Sequence, residues 1–291
     1  MVSASSPHMS GPHAARSVSP AQAALAAGLG VAFAVLDRVV PSVGIWSALA
    51  LFLLGVPHGA VERHPDSGGG WRRLVPTPGY TALYLVVGLL LFCSWLINPA
   101  ITLGLFLLLS AVHFGHAEPR LRLAGLWVVL GSLLMFREET LGIFSLMTGV
   151  DWTAPMVGRV AFWLPLAAGT ALILEAAWKR DLPYAALLLG LFALVPPVGA
   201  VATYYFAVHS LREWGDARSR LPEGGAMRRM VRLYAPFSLP VLAGGLVLLA
   251  LVGMGAVPLL VAVGLGVAVA SPHMIPLERW MARGRGVGPA H

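Results

Sequence analysis

The dominant pattern along the chain is a series of long apolar stretches that contain no Asp, Glu, Lys or Arg. These charge-free stretches are 17–36, 39–61, 74–117, 123–136, 160–174, 182–211 and 233–277. Each such charge at the centre of a bilayer costs about 2.5–3.5 kcal/mol, and a helix needs about 20 apolar residues to cross the hydrocarbon core. The pattern therefore predicts membrane-spanning helices, and 74–117 and 233–277 are each long enough for two.

Helix-breaking residues divide the longest stretches. Asn98-Pro99 separates one pair of predicted helices, and the Gly253–Pro258 region separates another. Pro196-Pro197 interrupts 182–211, because proline removes a backbone donor and clashes with the preceding turn. This last interruption is compatible with one kinked span or with two short spans.

The distribution of basic residues decides between the two. With ten helices, 17 of the 20 Lys and Arg residues fall on one side of the membrane, whereas a single span over 182–211 moves the six arginines of 212–232 to the other side. Cytoplasmic loops carry the excess of Lys and Arg. The sequence therefore predicts a bundle of about 8–10 transmembrane helices, with ten favoured and both termini cytoplasmic. The predicted helices cover 17–36, 43–57, 80–97, 100–116, 122–136, 158–177, 183–196, 198–212, 235–253 and 257–275.

Composition agrees with an all-α integral membrane protein of the cell membrane. The 291 residues are 57% hydrophobic and 11% charged, against about 25% charged in soluble proteins. The basic excess is assigned to cytoplasmic loops and not to nucleic-acid binding. We expect a disordered tail over 1–20, one polytopic membrane domain over 21–280 and a tail over 281–291. The single Cys93 excludes an intramolecular disulfide and a cysteine-based metal cluster.

Four histidines lie where apolar stretches end, in the motifs VPHGAVERH, SAVHFGHAE, YYFAVHSLREW and ASPHMIPLERW. His58, His113, His209 and His273 fall at the cytoplasmic ends of the second, fourth, eighth and tenth predicted helices, which all run in the same direction. Since the arginines alone fixed this topology, the shared depth of the imidazoles is an independent indication that they converge in the bundle. Neutral imidazole suits Zn, Cu, Fe and Ni, and a set of four histidines favours a non-haem ferrous ion that binds O2.

Neighbouring polar residues are candidates for further ligands or for hydrogen-bond partners that orient the imidazoles. These are His116, Glu118, Glu213 and Glu278. A solvated carboxylate at the interface is the commoner role for each glutamate taken alone. Gly115, directly after the HF pair, is expected to allow close helix approach, and His64 is expected to be a loop residue.

Aromatic residues cluster around the same motifs. Phe114 follows His113, and Tyr204, Tyr205 and Phe206 lie about one turn before His209. We expect these rings to line an apolar tunnel that holds a long polyene. Trp71 and Trp280 are expected to belong to the interfacial aromatic belt.

The four motifs, in this order, resemble those of the Brp/Blh family of membrane-embedded β-carotene dioxygenases. The matching residues are Pro57-His58-Gly59, His113-Phe114-Gly115 followed by Glu118, His209-Ser210-Leu211-Arg212, and Pro272-His273. The resemblance extends over about 43–280, nearly the whole membrane domain.

This resemblance implies Fe(II)-dependent cleavage of a carotenoid at its central double bond, with O2, to give two retinals. It also implies a functional link to a retinal-binding rhodopsin. By position, His58, His113 and His209 take iron-binding roles. Where the family usually has a second histidine, four residues after that of the HS motif, this chain has Glu213. Either Glu213 is an oxygen ligand, or His273 completes the set, or the site is altered.

Two other functions fit the sequence less well. A membrane di-iron hydroxylase or desaturase carries HxxxH and HxxHH clusters, whereas this chain has six histidines outside its tails and no HxxHH. A metal-ion transporter places ionisable groups across the membrane thickness, whereas the polar groups here gather at one end. A Schiff-base opsin is disfavoured because the only lysine, Lys179, lies in a predicted loop.

Overall fold

The computed structural model describes residues 18–55, 78–118, 120–219 and 226–274, and within these ranges the secondary structure is helical, with no strand. The helices are α1 (Pro20–Val39), α2 (Pro41–Gly55), α3 (Pro78–Ile97), α4 (Pro99–Ala117), α5 (Ala124–Leu130), α6 (Ser132–Met135), α7 (Arg137–Thr148), α8 (Pro155–Lys179), α9 (Leu182–Leu194), α10 (Pro197–Thr203), a π-helix (Tyr204–Ser210), α11 (Leu211–Ser219), α12 (Ala226–Gly253) and α13 (Leu259–Met274). Each of the ten predicted segments is helical over most of its length, which confirms the predicted all-α class. Both predicted tails lie mostly outside the described residues.

The three predicted breaks each separate two helices. Asn98 caps α4, because its side-chain oxygen accepts a hydrogen bond from the backbone N–H of Ile101 at 3.0 Å. Val195 and Pro196 are extended, so 182–211 is interrupted at the predicted position; that its two parts cross the membrane separately stays a prediction. Between α12 and α13, Gly255 has φ +71°, a left-handed conformation that glycine adopts without strain.

Three helical segments were not expected from the sequence, one of which is the continuation of α11 from the predicted end at 212 to Ser219. The helix α7 lies in a predicted connection, and α12 begins at Ala226, well before the predicted 235. Charge-free stretches mark only what a bilayer can hold, and a helix can extend beyond that limit. In α7, Glu138 and Glu139 occupy the first turn, where the helix dipole favours negative charge.

The apolar surface fits a lipid environment. Three helices of the described part are long and apolar enough to cross a membrane, namely Pro20–Val39, Pro99–Ala117 and Val157–Lys179, and six shorter apolar helices accompany them. Large apolar side chains are exposed on many of these helices; Ile97, for example, is 84% exposed. Soluble monomers rarely present such continuous apolar surface. The number of crossings and the side on which the termini lie stay predictions.

Glycine residues let α4, which carries the His113 motif, and α5 pack with their backbones in close contact. A Cβ atom added at Gly115 of α4 would lie 2.5 Å from the carbonyl oxygen of Arg122, and one added at Gly125 of α5 would collide with the carbonyl oxygen of Ala111. This close approach at Gly115 is the one predicted. Beside it, the buried Trp127 donates from its indole Nε1 to the carbonyl oxygen of Leu188 at 2.9 Å, which joins α5 to α9.

Candidate functional site

A π-helix carries His209. It consists of the seven residues Tyr204–Ser210, and the imidazole of His209 is completely buried. The wider turn is visible at its end, where the N–H of Leu211 donates to the carbonyl oxygen of Phe206, five residues earlier. Single-turn π segments inside α-helices occur frequently at functional sites. The sequence had predicted an ordinary helix here.

The imidazoles of His113 and His209 lie side by side. Their ring centroids are 5.3 Å apart and their planes are inclined at 75°. With metal–nitrogen bonds of about 2.1 Å, two imidazoles on one ion have centroids roughly 4.5–5.5 Å apart. The spacing of this half-buried and buried pair therefore fits a shared metal ion.

The helices that lead to the other two motifs also end close to this pair. A Cβ atom added at Gly55, the last residue of α2, would lie 2.6 Å from the ring of Tyr205 and 3.0 Å from the hydroxyl of Ser210. Near the end of α13, the Sδ atom of Met274 lies 3.7 Å from the hydroxyl of Ser110, three residues before His113. The ends of α2 and α13 therefore contact the two elements that carry the histidine pair.

Several residues for which the sequence predicts a role, in the site, in a loop or in the aromatic belt, lie outside the described part of the chain. They are His58, His64, Trp71, Glu278 and Trp280. The backbone of His273 belongs to α13, but its side chain is also outside the described part. Among the side chains that are described, no group of three or more His, Cys, Asp or Glu could hold a metal ion. The pair of His113 and His209 is thus the described portion of the predicted set.

Aromatic rings surround His209. Phe114 lies edge-on to it at 5.2 Å, and Tyr205 stacks on it at 5.9 Å, between ring centroids. Tyr205 in turn stacks on Phe52 of α2 at 4.5 Å. Phe206 is partly buried against the same core. These rings exclude water from the imidazole, and the polyene tunnel that they were expected to line stays a prediction.

A cavity of about 410 Å³ lies elsewhere, between α7 and the first turns of α8. Its lining includes Arg137, Glu138, Arg159 and Trp163. Near the other end of α8, Glu175 accepts hydrogen bonds from the N–H groups of Arg122 and Leu123, in the turn after α4. The cavity therefore lies about 20 Å along α8 from Glu175 and the turn after α4, given a rise of about 1.5 Å per residue.

Glu118 and Arg212 form a buried ion pair that joins two of the motifs. The guanidinium donates to both carboxylate oxygens, at 2.7 and 3.0 Å, and Glu118 is only 2% exposed. The Tyr204 hydroxyl donates to the same carboxylate at 2.9 Å. Glu118 is therefore not a solvated interfacial carboxylate. Arg212, which the sequence placed among the cytoplasmic loop charges, is instead buried, because this carboxylate neutralises it.

Two other candidate ligands, His116 and Glu213, lie near His113 and His209 in the sequence. His116 is exposed, and its Nδ1 lies 2.8 Å from the carbonyl oxygen of Val112 in the same helix. Glu213 is half-buried in the first turn of α11, four residues after His209.

The sequence did not identify Arg212 as part of the site, although its position in the HS-x-R motif was the available signal.

The chain is similar to known proteins over the region that contains the four motifs. A family model described as β-carotene 15,15′-dioxygenase matches residues 49–282. A β-carotene 15,15′-dioxygenase from the uncultured marine bacterium 66A03 is 27% identical over 64% of this chain and 74% of its own length. A probable β-carotene 15,15′-dioxygenase Blh from Halobacterium salinarum is 28% identical over 65% of this chain and 65% of its own length. No solved structure matches the chain. The family match confirms the resemblance predicted from the four motifs.

Proposed function

The chain belongs to the β-carotene 15,15′-dioxygenase family, and on that premise we propose that it cleaves a β-carotene-like carotenoid at its central double bond with O2 to give retinal. The observation that carries the proposal is the pairing of His113 and His209, from two separate motifs, at a ring-centroid distance of 5.3 Å. Around them lie apolar rings and no described acid–base pair of hydrolytic type. This setting suits an oxygenation better than a hydrolysis.

A dioxygenase family indicates a metal cofactor, and we propose Fe(II). His113, His209 and His58 are its proposed ligands, with Glu213 or His273 as the fourth. When bound, the iron supplies the activation of O2. The chain's own contribution is to hold the imidazoles in a fixed arrangement and to keep water from them, which Phe114 and the tyrosines of the π-helix do by packing on His209.

A carotenoid substrate is consistent with the proposed location in a membrane. A carotene dissolves in the hydrocarbon of a bilayer, and the exposed apolar helix surface allows it to enter from the side. We place the chain in the cell membrane with ten crossings, both termini cytoplasmic and the histidines at the cytoplasmic ends. The retinal released there is available to a retinal-binding rhodopsin in the same membrane.

The test is expression in bacterial cells that produce β-carotene, with the extracted pigments resolved by chromatography. The wild-type chain is expected to deplete β-carotene and to accumulate retinal. His113→Ala is expected to abolish retinal formation, because it removes one proposed ligand. His116→Ala is the comparison on the same helix: its imidazole is exposed, and its loss should reduce retinal formation less than His113→Ala does.

Retinal formation by a well-expressed His113→Ala protein would contradict the proposed site. Unchanged β-carotene in cells with abundant, iron-loaded wild-type protein would contradict the proposed substrate. The amount of monodisperse protein recovered in detergent, compared between the two histidine variants, separates loss of activity from loss of fold.

A further inference from the structure

We propose that Glu118 and Arg212 are positioning residues of the metal site: their buried ion pair, extended by Tyr204, holds His209 at its distance from His113. This inference rests on the proposed function and adds a role for Arg212 and Tyr204. The two charged residues lie in different motifs, and each is close in sequence to one histidine of the pair. Glu118 follows His113 by five residues, and Arg212 follows His209 by three.

Both oxygens of the Glu118 carboxylate are already engaged. Oε1 accepts from the Tyr204 hydroxyl at 2.9 Å and from Arg212 Nη2 at 3.0 Å, and Oε2 accepts from Arg212 Nη1 at 2.7 Å. A carboxylate held by a guanidinium fork and a phenol has few lone pairs left for a metal ion. Glu118 therefore acts on the site through its neighbours and not as a ligand.

The path from the ion pair to His209 is short. The Tyr204 ring is nearly parallel to the His209 imidazole, with an interplanar angle of 14° and a centroid distance of 6.4 Å. Phe114 lies edge-on to both rings, at 5.3 Å from Tyr204 and 5.2 Å from His209. A shift of α11 or of the π-helix relative to α4 therefore changes the distance between the two imidazoles.

Stability alone gives no reason for this ion pair. Replacing a buried ion pair by apolar side chains of similar volume is often neutral or stabilising, because desolvation offsets the Coulomb attraction. What a bidentate arginine–carboxylate pair adds is geometry, since two parallel hydrogen bonds fix both distance and orientation. The pair lies between the two helix segments that must be kept in register for His113 and His209 to face one ion.

The test uses purified full-length protein in detergent and Fe(II) alone as the probe, titrated anaerobically. The variant Glu118→Met/Arg212→Met removes both charges together, so that neither is left buried and unpaired. It is expected to fold but to bind Fe(II) about 10–100-fold more weakly, as for other residues that support metal ligands. With Co(II) in place of iron, its visible absorption spectrum should differ from that of the wild type.

The matched control is Arg120→Met/Asp181→Met, which removes a partly exposed ion pair, 3.6 Å apart, between the turn after α4 and the residue before α9. It should bind both metals as the wild type does. Arg212→Lys keeps the charge but loses the fork, and should weaken Fe(II) binding several-fold; it decides the question if the double variant does not fold. Wild-type affinity and spectrum in Arg212→Lys and in any folded double variant would overturn the positioning role. Absence of specific Fe(II) binding by the wild type would instead overturn the proposed metal site, and this inference with it.

Discussion

At the residue scale, the described half of the site depends on buried groups whose partners come from other motifs. Tyr204 is the example, because it shares a motif with His209 but packs on Phe114 and donates to Glu118, both in the motif of His113. Sequence motifs predicted that His113 and His209 would converge, since both end apolar stretches that run in the same direction. They did not predict the Glu118–Arg212 contact, because two residues 94 positions apart carry no local signal of pairing.

Tyr204→Phe separates the two roles of this residue. The ring contacts remain, and the loss of one buried hydrogen bond should lower stability by about 0.5–1.5 kcal/mol. Tyr204→Ala also removes the ring, and should cost about 3–5 kcal/mol through the cavity that it leaves. Thermal unfolding of the two variants in detergent measures the difference. Equal losses in both would mean that the ring contributes nothing to packing on His209.

The fourth ligand is also a question for single residues. Glu213→Gln keeps the size of the side chain but removes the anionic oxygen, and His273→Ala removes the imidazole. If the site has four protein ligands, one of these variants should bind Fe(II) markedly more weakly than the other, as measured by anaerobic titration. Wild-type affinity in both would contradict a four-ligand set drawn from these residues.

At the scale of elements, helices and their breaks were predictable and the irregular segment was not. Long charge-free stretches and the residues Asn98, Pro196 and Gly255 mark where helices must end, because their chemistry acts locally. The π-helix has no such mark. Its rings pack on Phe52 of α2 and Phe114 of α4, and such contacts between distant segments leave no local signal in the sequence. The helix α7 was missed for a different reason: its charged first turn places it outside every charge-free stretch.

Contact between α2 and the π-helix can be tested at Gly55. In Gly55→Ala the new methyl group would lie 2.6 Å from a Tyr205 ring carbon, so the ring or the π-helix that carries it must move. We expect a loss of stability of about 1–3 kcal/mol, typical of overpacking, and reduced retinal formation. Gly104→Ala in α4 is the control, because nothing lies within 4 Å of the added atom. Equal stability and activity in the two variants would show that this contact is unimportant.

At the scale of the whole molecule, the predicted membrane topology determines which loops, and which end of the helix bundle, face the cytoplasm. The apolar helices fit a polytopic protein, and the arginine distribution predicts which loops face the cytoplasm. Burial of Arg212 removes one residue from that count but leaves the large excess on the same side. The burial of Arg212 therefore leaves the predicted orientation of the helices in the membrane unchanged.

Cysteine labelling tests that orientation. After Cys93→Ser removes the only native thiol, single cysteines at the exposed positions Thr153 and Ser219 report on opposite sides. Thr153→Cys should react with a membrane-impermeant maleimide in intact cells, whereas Ser219→Cys should react only after permeabilisation. The reverse result would place the histidine end on the outside.

The central claim is that His113 and His209 act together, on one metal ion, in the cleavage of a carotene. Its most direct test is the amount of retinal formed in β-carotene-producing cells by His113→Ala, His209→Ala and the double variant, beside the wild type. Ligands of one ion act as a unit, so their effects are not additive. We predict that each single variant forms as little retinal as the double variant. Retinal formation near the wild-type level in either single variant would contradict the claim.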